Sequence, residues 1–314
     1  MSAPPTSPRL LVVGAGGFVG RHVCNAADAA GLEVVAADRS GSLGAKCDLL
    51  DPASVAACVE SARPDLVANM AGAASVAASW ERGKEALEVN AAGVGNLLEA
   101  VAGLAPSAHV LCVSSAEVYG EPSQGRLPFA EDAALSPVTP YGESKAAMEA
   151  ICERFADQRG MRIAVIRAFN MFGPGQSPAF AAAGFARQIA AAELAGAETA
   201  ELTIGNPSAA RDFTDVRDAA RAFVEVSQAG LAGVYNLCSG RALRLGAILD
   251  ELAKATPLPV SFQRDPSLQR PVDPSVVYGS PERLRSAIGW KPEIPLPESL
   301  ADLLDWQRSQ LAAA

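Results

Sequence analysis

Aromatic residues are scarce in this 314-residue chain, at 5%. Strands of β-sandwiches are rich in aromatic and β-branched side chains, so this poverty, beside abundant Ala and Gly, argues against that architecture. Histidine is scarcer still, with two residues, and the six cysteines (Cys24, Cys47, Cys58, Cys112, Cys152, Cys238) form no C-x-x-C pair. A structural zinc site needs four such ligands at short spacings, so no metal is expected. The thiols are scattered in apolar contexts and read as reduced core residues of a cytoplasmic protein. Net positive charge is missing too: 26 Lys+Arg face 35 Asp+Glu, for a formal −9. So acidic a chain repels nucleic acid and anionic lipid outside a local basic pocket. No stretch of ~18 apolar residues escapes charges and turn signals, so no membrane span is expected. The N-terminal MSAPPTSPR is polar and Pro-rich, and the apolar run after it is too short for a signal peptide.

What is present is a globular composition, 49% hydrophobic and 19% charged, able to bury a large core. The length fits two domains, or one α/β domain with a small lobe.

The first half alternates apolar runs with helical segments. Arg9–Val13, Leu32–Ala37, Asp65–Met70, His109–Ser115 and Arg162–Ala168 read as strands. Gly20–Ala30, Pro52–Ala62, Gly83–Ala102 and Pro140–Arg159 read as helices between them. This rhythm predicts βαβ units and a mostly parallel sheet. After Phe169 the rhythm breaks at a Gly- and Pro-rich stretch. Helices are predicted at Ala179–Leu194, Val216–Gln228 and Leu296–Gln310, with strands at Leu202–Ile204 and Val234–Cys238. The expected fold is a doubly wound α/β sheet over residues 9–169, to which 212–239 return. Residues 170–211 and 240–314 form a smaller C-terminal lobe.

Gly14-Ala15-Gly16-Gly17-Phe18-Val19-Gly20 sits between the first strand and the first helix. Glycines let a backbone turn tightly and approach a pyrophosphate, while the helix start offers free N–H groups and partial positive charge. Asp38 closes the second strand, where a carboxylate can accept from a ribose diol. Its charge repels a 2′-phosphate and favours NAD(H) over NADP(H), although Arg39 next to it could pair with that phosphate.

Pro140 opens a helix that carries Tyr141 and Lys145, four residues apart and so on one face. An ammonium beside a phenol favours phenolate and lowers its pKa from about 10. A phenol so tuned can exchange a proton with a substrate hydroxyl while hydride moves at carbon. Ser115 ends the fourth strand, whose C-terminus should face the ligand crevice. Glu117, two residues later, would share its side if the strand continued. Glu117 could be a base, could bind a sugar hydroxyl, or could be a solvated turn residue.

The glycine spacing of Gly14, Gly17 and Gly20, with Val19 at a position that is Gly in the standard dinucleotide pattern, resembles the short-chain dehydrogenase/reductase superfamily. Asn90–Asn96, Val113–Gly120, Tyr141–Lys145 and Ala168–Asn170 resemble its extended branch, the NAD-dependent epimerase/dehydratase family, which modifies nucleotide sugars. Within that branch, Phe169–Pro178, Gly205-Asn206, Arg211–Asp218, Tyr235–Gly240, Arg270-Pro271 and Gly289–Pro292 are most similar to the GDP-4-keto-6-deoxy-D-mannose reductases. The likeness covers about residues 9–310. It implies cofactor contacts at Gly14, Gly16, Gly17, Phe18, Val19, Gly20, Asp38, Arg39, Asp48, Leu49, Met70, Ala71, Gly72, Asn90, Val113, Tyr141, Lys145 and Phe169. Asp48 would hydrogen-bond adenine, or else simply cap the helix ahead of Pro52. Catalysis would fall to Ser115, Tyr141, Lys145 and Glu117. Substrate contacts would come from Ser115, Ala116, Glu117, Asn170, Arg211 and Arg270. Arg211 and Arg270 suit bidentate phosphate contacts, or else pair with Asp212 or Asp273. The resemblance also implies a homodimer built on the helices at 83–102 and 140–159.

Three functions compete. A reductase would deliver hydride from NAD(P)H to the C4 keto group of a nucleotide-linked 6-deoxy sugar. A 4,6-dehydratase or 4-epimerase would instead recycle bound NAD; Glu117 speaks for it, and Ala116 against the dehydratase's paired acids. A non-catalytic dinucleotide-binding scaffold would not need Ser115, Tyr141 and Lys145.

Overall fold

A parallel strand buried on both faces must be apolar at every position. Strand β1 (Arg9–Val13) shows this: Leu10 and Val12 enter one core layer, Leu11 and Val13 the other, and all four are fully buried. The structure is a computed structural model and describes residues 7–122, 127–268 and 272–313.

Helix α1 (Phe18–Ala29) follows, then β2 (Glu33–Asp38), β3 (Ala45–Lys46), α2 (Pro52–Ala62) and β4 (Leu66–Asn69). Next come α3 (Val76–Ser79), α4 (Gly83–Leu87), α5 (Gly93–Leu104), β5 (His109–Ser115), α6 (Pro140–Arg159) and β6 (Ile163–Ala168). The second half runs β7 (Asn170–Phe172), α7 (Ala181–Leu194), β8 (Ala200–Ile204), β9 (Ala210–Asp215), α8 (Val216–Gln228) and β10 (Gly233–Leu237). It ends with β11 (Ala242–Arg244), α9 (Leu245–Lys254), β12 (Val260–Arg264), β13 (Val276–Val277), α10 (Glu282–Ile288) and α11 (Leu296–Ala312).

Seven strands form one parallel sheet in the order β10-β6-β5-β4-β1-β2-β3. The chain leaves β1 toward β2 on one side and returns to β4 on the other. That reversal opens a crevice at the carboxyl ends of β1 and β4, where open α/β sheets bind ligands. Helices α2, α5 and α6 cover one face, and α1 and α8 the other. The expected doubly wound α/β fold is present, with β10 pairing in parallel with β6 at the edge of the large sheet.

Helices α2 and α6 run over the residues read from sequence, because each carries its own start signal. Asp51 caps α2 by accepting from Ala53 N and Ser54 N at 3.0 and 3.3 Å, and Pro52 takes the first helical position. Thr139 and Pro140 do the same for α6, which Gly160 ends at φ +64°.

The predicted helix 83–102 is broken. Between α4 and α5 the segment Glu88–Ala92 forms a π turn. The wider turn swings Asn90 inward, where Nδ2 donates to Ala73 O and Ser144 Oγ and Oδ1 accepts from Ala73 N, all within 3.1 Å. Strands β7, β9 and β11, unmarked by any apolar run, pair among themselves beside β13. With the separate β8–β12 pair and α7, α9 and α11 they make a third core of Phe172, Ile189, Leu202, Ile248 and Leu303. Among the described residues no helix is long and apolar enough to cross a membrane, no cluster could hold a metal ion, and all six cysteines are free.

Candidate active site

The glycine loop is held by backbone bonds and by Arg21, whose guanidinium donates to Gly16 O and Gly17 O at 3.1 and 3.3 Å. Gly14 turns at φ +84°, and its N–H and that of Ala15 donate to Ala37 O at 2.8 and 3.0 Å. A Cβ on Gly20 would lie 2.1 Å from Gly14 O, so α1 packs directly on the loop. Gly17, the N-cap of α1, has no side chain to cap the first turn. Those N–H groups, in a helix whose first turn carries no acid, fit a pyrophosphate.

Beside the loop lies a hollow of about 620 Å³, lined by Gly16, Asp38, Arg39 and Ser40 among others. Asp38 reaches this hollow, but its acceptor positions are filled by its own loop. Oδ1 accepts from Ser40 N, Ser40 Oγ and Gly41 N at 2.6–2.7 Å, and Oδ2 from Leu43 N at 3.1 Å. The Ser40 hydroxyl above all, with the Gly41 and Ser40 amides, holds the Asp38 carboxyl well below the usual carboxylate range. Asp48 and Leu49 stand apart from the hollow: Asp48 Oδ1 accepts from Leu50 N, and Leu49 is buried with its carbonyl bonded to Asn96 Nδ2.

The main cavity, about 830 Å³, opens at the crevice and is walled by both halves of the protein. Phe18, Val19, Met70, Ala71, Gly72, Val113 and Phe169 line it from the sheet side, together with Ser115, Glu117, Tyr141 and Lys145. Asn90 acts at one remove by fixing Ala73, and its Oδ1 lies 2.6 Å from where a Cβ on Gly72 would fall.

Tyr141 and Lys145 share a face of α6 as their spacing requires, but their electrostatics differ from expectation. Lys145 Nζ donates to Val113 O at 2.8 Å and stands 5.9 Å from the Tyr141 ring centre. Burial dominates both groups. It pushes the Tyr141 phenol up to about 12, aided by the Glu117 charge and opposed by a hydrogen bond with Ser115. It draws the Lys145 ammonium down to about 8. The lowered phenol pKa expected from the ammonium alone is therefore corrected: desolvation outweighs it.

Glu117 does not extend the strand. Residues Ala116–Tyr119 form a 3₁₀ turn capped by Ser115, whose Oγ accepts from Glu117 N at 3.2 Å. The turn still presents Glu117 to the cavity, with Thr139 Oγ1 donating to its Oε2 at 3.4 Å. Ala116 instead packs against the Val118–Tyr119–Phe129 cluster.

On the lobe side Asn170 is exposed at the start of β7 and lines the cavity. Arg211 lines it too, but is already paired: Nη2 donates to Asp273 Oδ1 at 2.5 Å and Nη1 to Ala210 O and Pro274 O. Arg270 lies outside the described residues. Sequence reasoning missed Trp80, Phe185, Gln188 and Thr203 in the cavity wall. Gln188, a lone amide on the Ala-rich face of α7, was the readable signal; it clamps Thr203 through N–H and C=O at 2.8 and 3.2 Å.

Comparison with known proteins identifies the family. The profile of the NAD dependent epimerase/dehydratase family matches residues 10–238, and the chain belongs to that family. The GDP-6-deoxy-D-mannose reductase of Pseudomonas aeruginosa is 35% identical over 304 residues, spanning 95% of this chain and 97% of that protein. The structure of RMD from Pseudomonas aeruginosa complexed with NADPH has a TM-score of 0.86 at 33% identity, covering 98% of this chain and 100% of that one. The UDP-glucose 4-epimerase of Thermus thermophilus, in complex with NAD, has a TM-score of 0.83 at 29% identity, covering 96% and 99%.

Proposed function

We propose that this chain reduces the C4 keto group of a nucleotide-diphosphate-linked 4-keto-6-deoxyhexose, a GDP-sugar in preference, with NAD(P)H. The observation that carries this reading is a single cavity that joins Ser115, Tyr141 and Lys145 to Asn170 and Arg211 of the lobe. The likeness to the Pseudomonas reductase along 95% of the chain supports it.

The loop at Gly14–Gly20 and the hollow at Arg39 hold the dinucleotide, whose nicotinamide supplies the hydride when bound. Tyr141 passes its phenolic proton to the C4 oxygen, and Ser115, already bonded to Tyr141, steadies that oxygen. Lys145 places a positive charge beside the phenolate that remains. The lobe built from residues 170–211 and 240–314 takes the nucleotide diphosphate. Arg211 meets the phosphates there, and Asn170 offers its amide.

Glu117, reaching the cavity beside Tyr141, favours a second reading, that of a 4,6-dehydratase or 4-epimerase which recycles NAD. A dehydratase removes a proton at C5 and expels water at C6, so it needs a second acid–base group. Under the reductase reading Glu117→Gln keeps shape and hydrogen bonding, and keto-sugar reduction should fall less than about tenfold. A ~10²–10⁴-fold loss of turnover in Glu117→Gln, with solvent deuterium that appears at C5 in the wild-type reaction and stops appearing with the variant, would replace the reductase with the dehydratase.

We further propose a homodimer through α4–α5 and α6. Leu87 and Leu104 stand 47% and 48% exposed at the ends of the α4–α5 pair, and a stable interface there should bury more than about 1,000 Å². Light scattering should give twice the chain mass of 32.2 kDa; a monomer mass independent of concentration would end the proposal.

A further inference from the structure

A buried charged cluster lies behind the catalytic residues. Arg167 on β6 and Glu149 on α6 form an ion pair with both side chains under one-tenth exposed. Arg167 Nε and Nη2 reach the two carboxylate oxygens at 3.0 and 2.8 Å. Glu149 Oε1 also accepts from Ser114 Oγ at 2.5 Å. Arg167 Nη1 donates to Tyr119 OH and to Glu131 O at 3.0 and 2.9 Å, and Tyr119 OH donates to Asn236 Oδ1 at 2.7 Å.

A buried ion pair is a poor device for stability alone, because desolvation cancels much of its attraction. Its position suggests another use. Glu149 sits one turn after Lys145 on α6. Ser114 sits between Val113, whose carbonyl accepts from Lys145 Nζ, and Ser115, which bonds Tyr141. Helix α6 is thus pinned twice to the last residues of β5. Tyr119 anchors the far end of the 3₁₀ turn that carries Glu117.

We propose that Glu149, clamped by Arg167, is a positioning residue that keeps Lys145 an ammonium and fixes α6 against the end of β5, so that Tyr141 meets Ser115. The proposal rests on the reading of Tyr141 and Lys145 as the proton-transfer pair. The groups around Lys145 are Tyr141, Glu149 and Cys152 on its own helix, Cys112 on β5, Glu117 on the 3₁₀ turn, and Arg167 on β6 behind Glu149. Burial pulls the ammonium down, while Cys112, Cys152 and Glu149 oppose that. The Cys152 thiol is held protonated by its hydrogen bond with Cys112 and by burial. Cys112 and Cys152 come first among the groups that oppose burial, and Glu149, one turn away on α6, is the carboxylate among them.

The test is a carbon-13 NMR titration of the lysine ε-carbons in the full chain, whose five lysines make Lys145 assignable through Lys145→Arg. Two variants are compared with wild type. Glu149→Gln leaves Arg167 without its anion, so it can lose the fold. The double variant Glu149→Met with Arg167→Met removes both charges, a change buried pairs often tolerate. The Lys145 midpoint should fall by about one pH unit in Glu149→Gln, and by less in the double variant, where the Arg167 cation leaves with the Glu149 anion. The alkaline limb of kcat should move down with it, while KM stays near wild type. A folded variant with the wild-type midpoint, or loss of folding in both, would reduce Glu149 to a structural residue and overturn the proposal. The titration needs no turnover. If the wild type reduces no keto sugar and the midpoint still falls, the assigned reaction fails and the role of Glu149 toward Lys145 stands.

Discussion

Replacing Tyr141 by Phe should lower keto-sugar reduction by ~10²–10⁴-fold, the contribution of a positioned acid–base group, and leave NAD(P)H binding nearly unchanged. The ring that lines the cavity remains, and only the hydroxyl bonded to Ser115 goes. Steady-state rates with fluorescence titration of the cofactor would separate the two effects. A variant keeping more than about a tenth of the wild-type rate would remove Tyr141 from proton transfer. The pH profile bears on the same point. A phenol held at about 12 stays protonated, and so remains a competent donor, far into the alkaline range. Lys145, at about 8, loses its proton first. Reduction should hold through neutral pH and fall as pH rises through about 8. The opposite reaction, which needs the phenolate, should gain with rising pH until Lys145 discharges.

That profile also shows where the sequence stops being legible. The spacing of Tyr141 and Lys145 puts them on one helix face, and they are there. Spacing carries no information on desolvation, which dominates both groups once the helix is packed between β5 and the cavity loop. Period and end signals carry the first half of the fold. Pro52 with Asp51, Pro140 with Thr139, and runs such as His109–Ser115 specify their elements locally. The π turn at Asn90 has no local signature, because its cause lies in Ala73 and Ser144, 17 and 54 residues away. Strand β9 carries Arg211, Asp212 and Asp215 in six residues and is stabilised by β7, β11 and β13, all distant in the chain. The Arg211–Asp273 pair likewise spans 62 residues. Contacts of that kind leave no periodicity to read.

Asp38 illustrates a finer limit. Its place at the end of β2 is as the sequence implies, yet Ser40–Leu43 fold back and supply its donors. A carboxylate so satisfied organises the rim of the hollow beside the glycine loop, with Arg39 next to it. The preference for NAD over NADP that its bare charge suggests loses its simplest basis, and the structure of the Pseudomonas relative holds NADPH.

Gly20→Ala should damage the fold and the cofactor site together. The added Cβ would lie 2.1 Å from Gly14 O, 2.8 Å from Gly14 C and 2.9 Å from Ala15 Cα, all of them backbone. Nor can the loop retreat. Gly14 N is bonded to Ala37 O at 2.8 Å, and its own Cβ position is already blocked by Ala71 N at 2.6 Å. Helix α1 must move outward instead, against the α8 layer on which it packs. Overpacking of this kind costs about 1–3 kcal/mol, read as a lower thermal midpoint. A displacement of about 1 Å at the helix start also misaims the N–H groups that fit the pyrophosphate, and misplacement on that scale can cost about 10²-fold. Gly16→Ala is the control for the fold. Its Cβ would meet Leu43 Cδ1 at 3.1 Å, the end of a side chain 54% exposed and able to swing away. Differential scanning calorimetry should show a depressed midpoint for Gly20→Ala and a wild-type one for Gly16→Ala. Equal midpoints, with NADPH affinity in Gly20→Ala within about threefold of wild type, would mean that the close contact of Gly14 and Gly20 does not shape the site.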